Sequence, residues 1–359
     1  MAAGSSHPWP DRPVSSKPSE GASRCTRILV DWSSRLSGRL GAQDDAKVAR
    51  AIRAVLQQRA KFFTPKRYGL LAGFVNGFPL VWLKNSDRLV SAFALWFYGG
   101  NLTVAMRIMK RLKQHPFSVA AHFDRMVAVS FAFPAAALRP LVPEGLEIDN
   151  YGDFGFVTAA LVWTRDLRPA GFPKFLGQDF FLAGYRVFTR LRDESGRNLR
   201  GLKILRSETD RRRMVTLGNW MTGYNYRQVA VQIDQSHSET RVVTSLAGGE
   251  KTLDLTFDTE LVNAPLPDGS PFPDWRTARR FAGPMPFTFS PEPDGRFVVV
   301  EGRRADWTPR PVVVKDWSVG LFDEAPLRGV TPILANAFMV ENIDYHWSRG
   351  RIIRSGGIN

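Results

Sequence analysis

The sequence predicts an α+β protein that is mostly β: an antiparallel barrel or sandwich with one or two helices packed against it, preceded by a basic helical extension. Three observations point there. About ten short runs of β-branched and aromatic residues follow His115, separated by turn signals. Only two short helical signals interrupt them, and longer helical periodicity is confined to residues before 114. No internal repeat period is evident, which disfavours a propeller or solenoid.

The 359 residues carry a net charge of +15, and 44% are hydrophobic, enough for a globular body. The charge is uneven. Residues 1–114 hold 19 basic and 6 acidic residues, whereas 115–359 hold 30 and 28. A nearly neutral body therefore follows a strongly basic extension, with the border drawn at Gln114-His115-Pro116. The single cysteine, Cys25, excludes an intrachain disulfide and any multi-cysteine metal site, and it suits a reducing cytoplasm. The opening residues lack an apolar signal core, so secretory export is not expected.

Residues 1–43, rich in Ser, Pro, Gly and Arg, read as a disordered basic tail. A basic helical extension is expected over 44–114. Asp44 and Asp45 suit a helix N-terminus, and Val48, Ile52, Val55, Leu56 and Phe63 recur at helical spacing opposite Lys47, Arg50, Arg53 and Lys61. The apolar stretches 69–83 and 89–109 are expected to be helices packed on protein. Asn76, Pro79, Asn101 and Arg107 interrupt them as bilayer spans. Lys110, Arg111 and Lys113 leave an anionic membrane surface as a second setting. No nucleic-acid reading motif accompanies the basic residues.

In the body, 115–359, strands are expected over 126–133, 154–163, 181–191, 202–208, 227–233, 241–246, 253–257, 297–301, 312–319 and 337–345. Turns are expected at Asn150-Tyr151-Gly152-Asp153, Glu194-Ser195-Gly196, Ala247-Gly248-Gly249 and Pro293-Asp294-Gly295. The helical signals fall at 135–141 and 210–222.

Dinucleotide, phosphate-loop, serine-hydrolase and zincin motifs are all absent from the sequence, so neither a cofactor nor a metal is implied. His115, His122, His237 and His346 match no metal spacing and read as surface or capping residues. The informative stretch runs from Arg186 to Arg227. Arg186 sits inside the apolar run Phe-Phe-Leu-Ala-Gly-Tyr-Arg-Val-Phe, and if it points inward it needs an anion. Strict alternation puts Lys203, Leu205 and Ser207 on one strand face and Leu202, Ile204, Arg206 and Glu208 on the other. Sequence favours an exposed Lys203 slightly and leaves both orientations open for Arg186 and Arg227.

The run Leu138-Arg139-Pro140-Leu141-Val142-Pro143-Glu144-Gly145-Leu146, after Phe123 to Phe131, resembles the bacterial family called domain of unknown function 2071. The similarity extends over most of 120–320, through Arg186, Ser207 to Asp210 and Tyr224 to Arg227. It implies an acetoacetate-decarboxylase-like fold, a compact β-barrel or cone around a small-molecule pocket. Decarboxylases of that superfamily form a Schiff base on a lysine whose pKa a second lysine depresses. Matching their Gly-x-x-x-x-Gly-Phe-Pro-Lys-Lys pattern to Gly218 through Arg227 puts Tyr226 on the nucleophile and Arg227 on its neighbour. Phenols form no iminium, and no carboxylate stands in 181–184 where the superfamily has one before Arg186.

Two readings follow. In the first, Arg186, Tyr224, Tyr226 and Arg227 bind a small organic acid without classical decarboxylation. In the second, the protein is an enzyme on a keto acid with relocated chemistry, using Lys203 as an amine or Glu208 and Tyr226 as a proton shuttle. A third possibility is a peripheral membrane or scaffold protein acting through the basic extension. A homo-oligomer remains open.

Overall fold

The computed structural model describes residues 72–75, 78–81, 113–260, 264–283, 285–304 and 307–356. The chain divides into a unit of residues 9–94 and a unit that contains residues 95–359. The expected tail over 1–43, the amphipathic helix after Asp44 and the apolar run 89–109 lie outside the described residues. In the first unit, β1 (Ala72–Val75) and β2 (Phe78–Val81) pair antiparallel, where a helix was expected over 69–83. Asn76-Gly77 lies between them, and that dipeptide between two apolar runs is the strongest short-range hairpin signal, because it accepts positive φ at both positions.

In the second unit, β3 (Val119–Pro134) leads into the short helix α1 (Ala135–Leu138). There follow β4 (Glu147–Ile148), β5 (Phe154–Pro169), β6 (Gln178–Arg192), β7 (Asn198–Thr209) and the helix α2 (Arg212–Met221). Next come β8 (Tyr226–Gln228), β9 (Ala230–Gln235), β10 (Glu239–Ser245), β11 (Lys251–Asp258) and the helix α3 (Trp275–Phe281). The chain ends with β12 (Phe287–Pro291), β13 (Arg296–Arg304), β14 (Arg310–Pro311), β15 (Val313–Val319), β16 (Ile333–Trp347) and β17 (Arg351–Arg354). Each strand expected in the body overlaps observed strand, though 227–233 is divided between β8 and β9, and the turn at Gly152, Gly196, Gly249 and Gly295 falls on positive φ each time. The short β4, β12, β14 and β17 and the helix α3 were not expected.

The large sheet runs β16-β3-β5-β6-β7-β12-β13. It then closes on itself, because β13 pairs back with β16 through Gly302↔Trp347, Arg303↔His346 and Arg304↔Tyr345. All neighbours in this ring are antiparallel except β7 and β12. A second, four-stranded sheet, β15-β11-β10-β9, covers part of the outside. Phe131 packs at a tilt on Trp317 and edge-on against Phe322 there, and Phe133 also meets Phe322 edge-on. Fully burying an aromatic side chain of this kind contributes about 1.5–3 kcal/mol, so this layer is a core in its own right. The other core lies inside the ring, where Phe123, Met126, Val162 and Phe338 cluster toward one end and Phe156, Phe188 and Phe272 toward the other. Among the described residues no helix is long and apolar enough to cross a membrane.

Candidate functional site

The ring encloses a cavity of about 180 Å³. Its walls follow from strand alternation. On β6 the residues Leu182, Arg186 and Phe188 face in, while Phe181, Ala183, Tyr185 and Val187 are buried on the other face. On β5 the inward set is Thr158, Ala160, Val162 and Thr164. Helix α2 closes one side with Met214, Gly218 and Met221, the i, i+4, i+7 stripe of a single helix face.

On β7 the alternation breaks. Tyr185 pairs with Arg206 and Arg186 with Ile204, so Leu205 has no opposite residue and forms a bulge. Leu202, Ile204 and Ser207 therefore line the cavity together, and the strict alternation read from the sequence fails at that residue. The bulge also docks the next segment. The Leu205 carbonyl accepts a bond from Asn225 Nδ2 at 2.9 Å, and the Ser207 amide donates to the Asn225 carbonyl at 3.2 Å. Asn225 itself has φ 52°, a left-handed conformation that asparagine tolerates. Asn219 completes the clamp, its amide bonding both the Tyr226 carbonyl and the Tyr226 amide at 2.7 Å. Tyr224 and Tyr226 are thus delivered into the cavity from a backbone held at three points.

Arg186 is the centre of the site. Its Nε is buried without a hydrogen-bond partner, and its guanidinium folds back beside Gly184. Burial lowers its pKa, opposed by Tyr345, Tyr226 and Tyr224; a guanidinium nonetheless stays charged in proteins. Burial pushes the Tyr224 phenol up to about 12 and raises that of Tyr226 as well, so both are neutral donors near pH 7. Thr288 approaches Tyr224 without making a well-formed hydrogen bond to its hydroxyl. Tyr345 comes from β16 and reaches across the ring closure to Gly302, where a Cβ would lie 2.0 Å from its hydroxyl. Only glycine fits at that approach. Among the described lining residues Arg186 is the sole guanidinium, and neither lysine nor a carboxylate occurs.

The other candidates lie elsewhere. Lys203 is opposite Val187, on the face turned away from the cavity, and its Nζ donates to the Ile204 carbonyl at 2.7 Å. Burial lowers its pKa. Glu208 is fully buried between the two sheets, where one oxygen takes Arg227 Nε at 2.9 Å and Nη2 at 2.6 Å. The other takes Tyr185 at 3.1 Å, Thr252 at 2.8 Å and Thr244 at 3.3 Å. This corrects the expectation that Arg227 shares a pocket with Arg186: the parallel pairing Ser207↔Tyr226 and Glu208↔Arg227 sends neighbouring residues to opposite faces.

His115 was expected at the surface and is 9% exposed against the cavity, its ring 6.3 Å from that of Tyr224. Burial lowers its pKa to about 4, with a bond to the Phe117 backbone acting the other way, so the ring is neutral near pH 7. Sequence reasoning missed His115, Tyr345, Ser207 and Thr158 as cavity groups, and Thr164, Thr222, Thr288 and Trp307 with them. A Tyr-x-Trp alternation at 345–347 was the one signal for Tyr345. Among the described residues no cluster of His, Cys, Asp and Glu could hold a metal.

Fold and site define a closed β-barrel protein with an internal, mostly apolar pocket carrying one cationic side chain. The chain belongs to the domain of unknown function 2071 family, whose model, described as an uncharacterized conserved protein, matches residues 120–341. It matches no functionally curated protein.

Among solved structures it is similar to the enduracididine biosynthesis enzyme MppR complexed with pyruvate, at 12% identity and a TM-score of 0.44, covering 66% of this chain and 90% of that one. It is also similar to acetoacetate decarboxylase from Legionella pneumophila subsp. pneumophila str. Philadelphia 1, at 11% identity and 0.45, covering 66% and 88%. An acetoacetate-decarboxylase-like enzyme from Sphingomonas wittichii RW1 matches at 14% and 0.43, covering 68% and 95%.

Proposed function

We propose that the barrel binds a small organic acid, with the carboxylate on Arg186 and the phenols of Tyr224, Tyr226 and Tyr345 around it. The observation that carries this is a guanidinium aimed into a mostly apolar cavity, its Nε buried and unpartnered, with no carboxylate among the described lining residues. An uncompensated buried charge is destabilising by several kcal/mol, and a site of this kind is kept for an anion that completes it. Arginine and carboxylate match in a planar, two-bond geometry, and neutral phenols add donors without adding charge.

Binding is favoured over Schiff-base chemistry by the sequence match that sets Tyr226 against the decarboxylase lysine and by the Lys203 amine lying on the far face of β7. The relocated proton shuttle loses support for a similar reason, since Glu208 and Tyr226 face opposite ways.

The test is Arg186→Met with two readouts. Calorimetric titration with hexanoate should lose at least tenfold in affinity, the scale of a charged hydrogen bond of about 1.5–3 kcal/mol. Urea denaturation without ligand should show equal or greater stability, because a hydrophobic side chain of similar length replaces a buried charge. Unchanged affinity would sink the reading. So would a covalent adduct on lysine after borohydride treatment with acetoacetate.

A further inference from the structure

Among the described lining residues, the charge inside the barrel is confined to one place, Arg186. Thr158 is the direct cross-strand partner of Arg186, and Ser207 is the partner of Tyr226. Tyr224, Tyr226 and Tyr345 also act on the Arg186 guanidinium, so most of the polar lining gathers near it, whereas Thr164 lies at the far end of the inward set on β5. Past Ala160 and Gly184, four residues along each strand, Val162 faces Leu182, and beyond them lie Phe123, Met126 and Phe338. A ligand held by its head at Arg186 therefore meets a mostly hydrocarbon wall along its length, with the Thr164 hydroxyl and the Trp307 indole as polar groups at that end.

Charge fixes the number of heads. Arg186 is the only charged group in the described lining, and His115, the nearest candidate for a second cation, is a neutral ring near pH 7. A second carboxylate would be buried without a partner, which is prohibitive in an apolar wall. Volume sets the body. A dry 150 Å³ cavity in another protein holds benzene, so about 180 Å³ suits a body of roughly six to eight carbons. Met126, Met214, Met221 and Met285 all line the space. Thioether chains of this kind adapt to irregular shapes, which favours a class of apolar bodies over one rigid outline.

We propose that the ligand is a monocarboxylate with an uncharged apolar body of about six to eight carbons, a medium-chain or aryl-substituted acid, in preference to a short keto acid or a diacid. This rests on the carboxylate reading of Arg186 given above and adds the identity of the rest of the molecule.

The experiment is a calorimetric titration of the full chain at pH 7.5 with acetate, pyruvate, butanoate, hexanoate, octanoate, 3-phenylpropanoate, adipate and hexanamide, repeated on Arg186→Met. Affinity should rise roughly fourfold per added methylene from acetate to hexanoate, the value of a buried CH2, and level off near octanoate. Phenylpropanoate should bind like hexanoate, and adipate at least tenfold more weakly. Hexanamide should bind wild type and Arg186→Met alike.

Acetate or pyruvate binding as tightly as hexanoate, or adipate equalling it, overturns the apolar-body inference while leaving the carboxylate site intact. Hexanamide matching hexanoate on wild type, with no effect of Arg186→Met, overturns the carboxylate site itself. Absence of binding by every acid overturns both.

Discussion

Tyr226 lies against Gly218 so closely that a Cβ on the helix residue would sit 2.4 Å from Tyr226 Cδ2 and 2.5 Å from Cε2. Gly218 is the only glycine of α2, and it costs that helix about 1 kcal/mol relative to alanine. The contact with Tyr226 accounts for its presence.

Gly218→Ala separates two outcomes by sign. Helix propensity alone would stabilise the variant by about 1 kcal/mol, whereas forcing a buried ring aside is destabilising by about 1–3 kcal/mol. The second effect should win, because the ring must move by roughly 1 Å to reach ordinary contact distance. Urea denaturation should show net destabilisation, and hexanoate affinity should fall. A more stable variant with intact binding would show that the position of Tyr226 is not constrained by the helix.

Glu208 and Arg227 should behave as a structural pair. Removing one partner of a fully buried pair costs about 3–5 kcal/mol. Arg227 is 31% exposed and so partly screened, and Glu208→Ala is expected near the lower end of that range. Adding Arg227→Met to Glu208→Ala should recover part of the loss, with a coupling of about 1–3 kcal/mol in the double-mutant cycle. Additive effects of the two changes would mean that Tyr185, Thr244 and Thr252, not Arg227, hold the carboxylate in place.

That pair also marks the limit of what the sequence discloses. The ten expected strands of the body were legible because alternation and turn glycines are local signals. Leu205 was not: nothing local announces a bulge, and one unpaired residue moved Ser207 to the side of Leu202 and Ile204. The sides taken by Tyr226 and Arg227 depend on the parallel pairing of β8 with β7, a contact set by the fold as a whole. Strand β12 was hidden by its composition, since Pro286 precedes it and Pro291 is its last residue, and proline usually argues against a central strand. Arg186 was recognisable as an anomaly in an apolar run, but its surroundings came from Tyr345, more than 150 positions away.

Asn336 offers a test of how far the interior is tuned for function. It is the cross-strand partner of Ser130, which pairs with Thr158, which pairs with Arg186, so four polar residues form one ladder across the inner face of the barrel. Ser130 and Thr158 bond each other at 2.8 Å, whereas Asn336 is fully buried with both amide atoms unpartnered. Leaving an amide in that state costs about 1–3 kcal/mol. Asn336→Leu, of the same branched shape though larger, should be neutral or more stable by up to about 2 kcal/mol in thermal and urea melts, the removed amide outweighing the added bulk. A large destabilisation would show that the amide is satisfied in solution and belongs to the structural core.

The pH dependence of stability should carry a His115 component with a definite sign. Its ring titrates at 6.5 in an unfolded chain and at about 4 in the fold, because burial disfavours the imidazolium. Above pH 6.5 both states are neutral there and the residue contributes no slope. Between 6.5 and 4 the unfolded chain binds a proton that the native state refuses, so stability falls as the pH drops, by up to about 1.4 kcal/mol per unit. Below about pH 4 both states are protonated, and the accumulated loss levels off at about 3 kcal/mol. His115→Asn removes the titration while keeping a residue that tolerates the φ of 54° at this position. Urea denaturation at pH 7.5, 6.0 and 4.5 should show the wild type losing stability relative to the variant across that range, with carboxylate contributions common to both cancelling in the difference. Parallel profiles would place the ring in water and remove the reason for treating it as a neutral wall of the cavity.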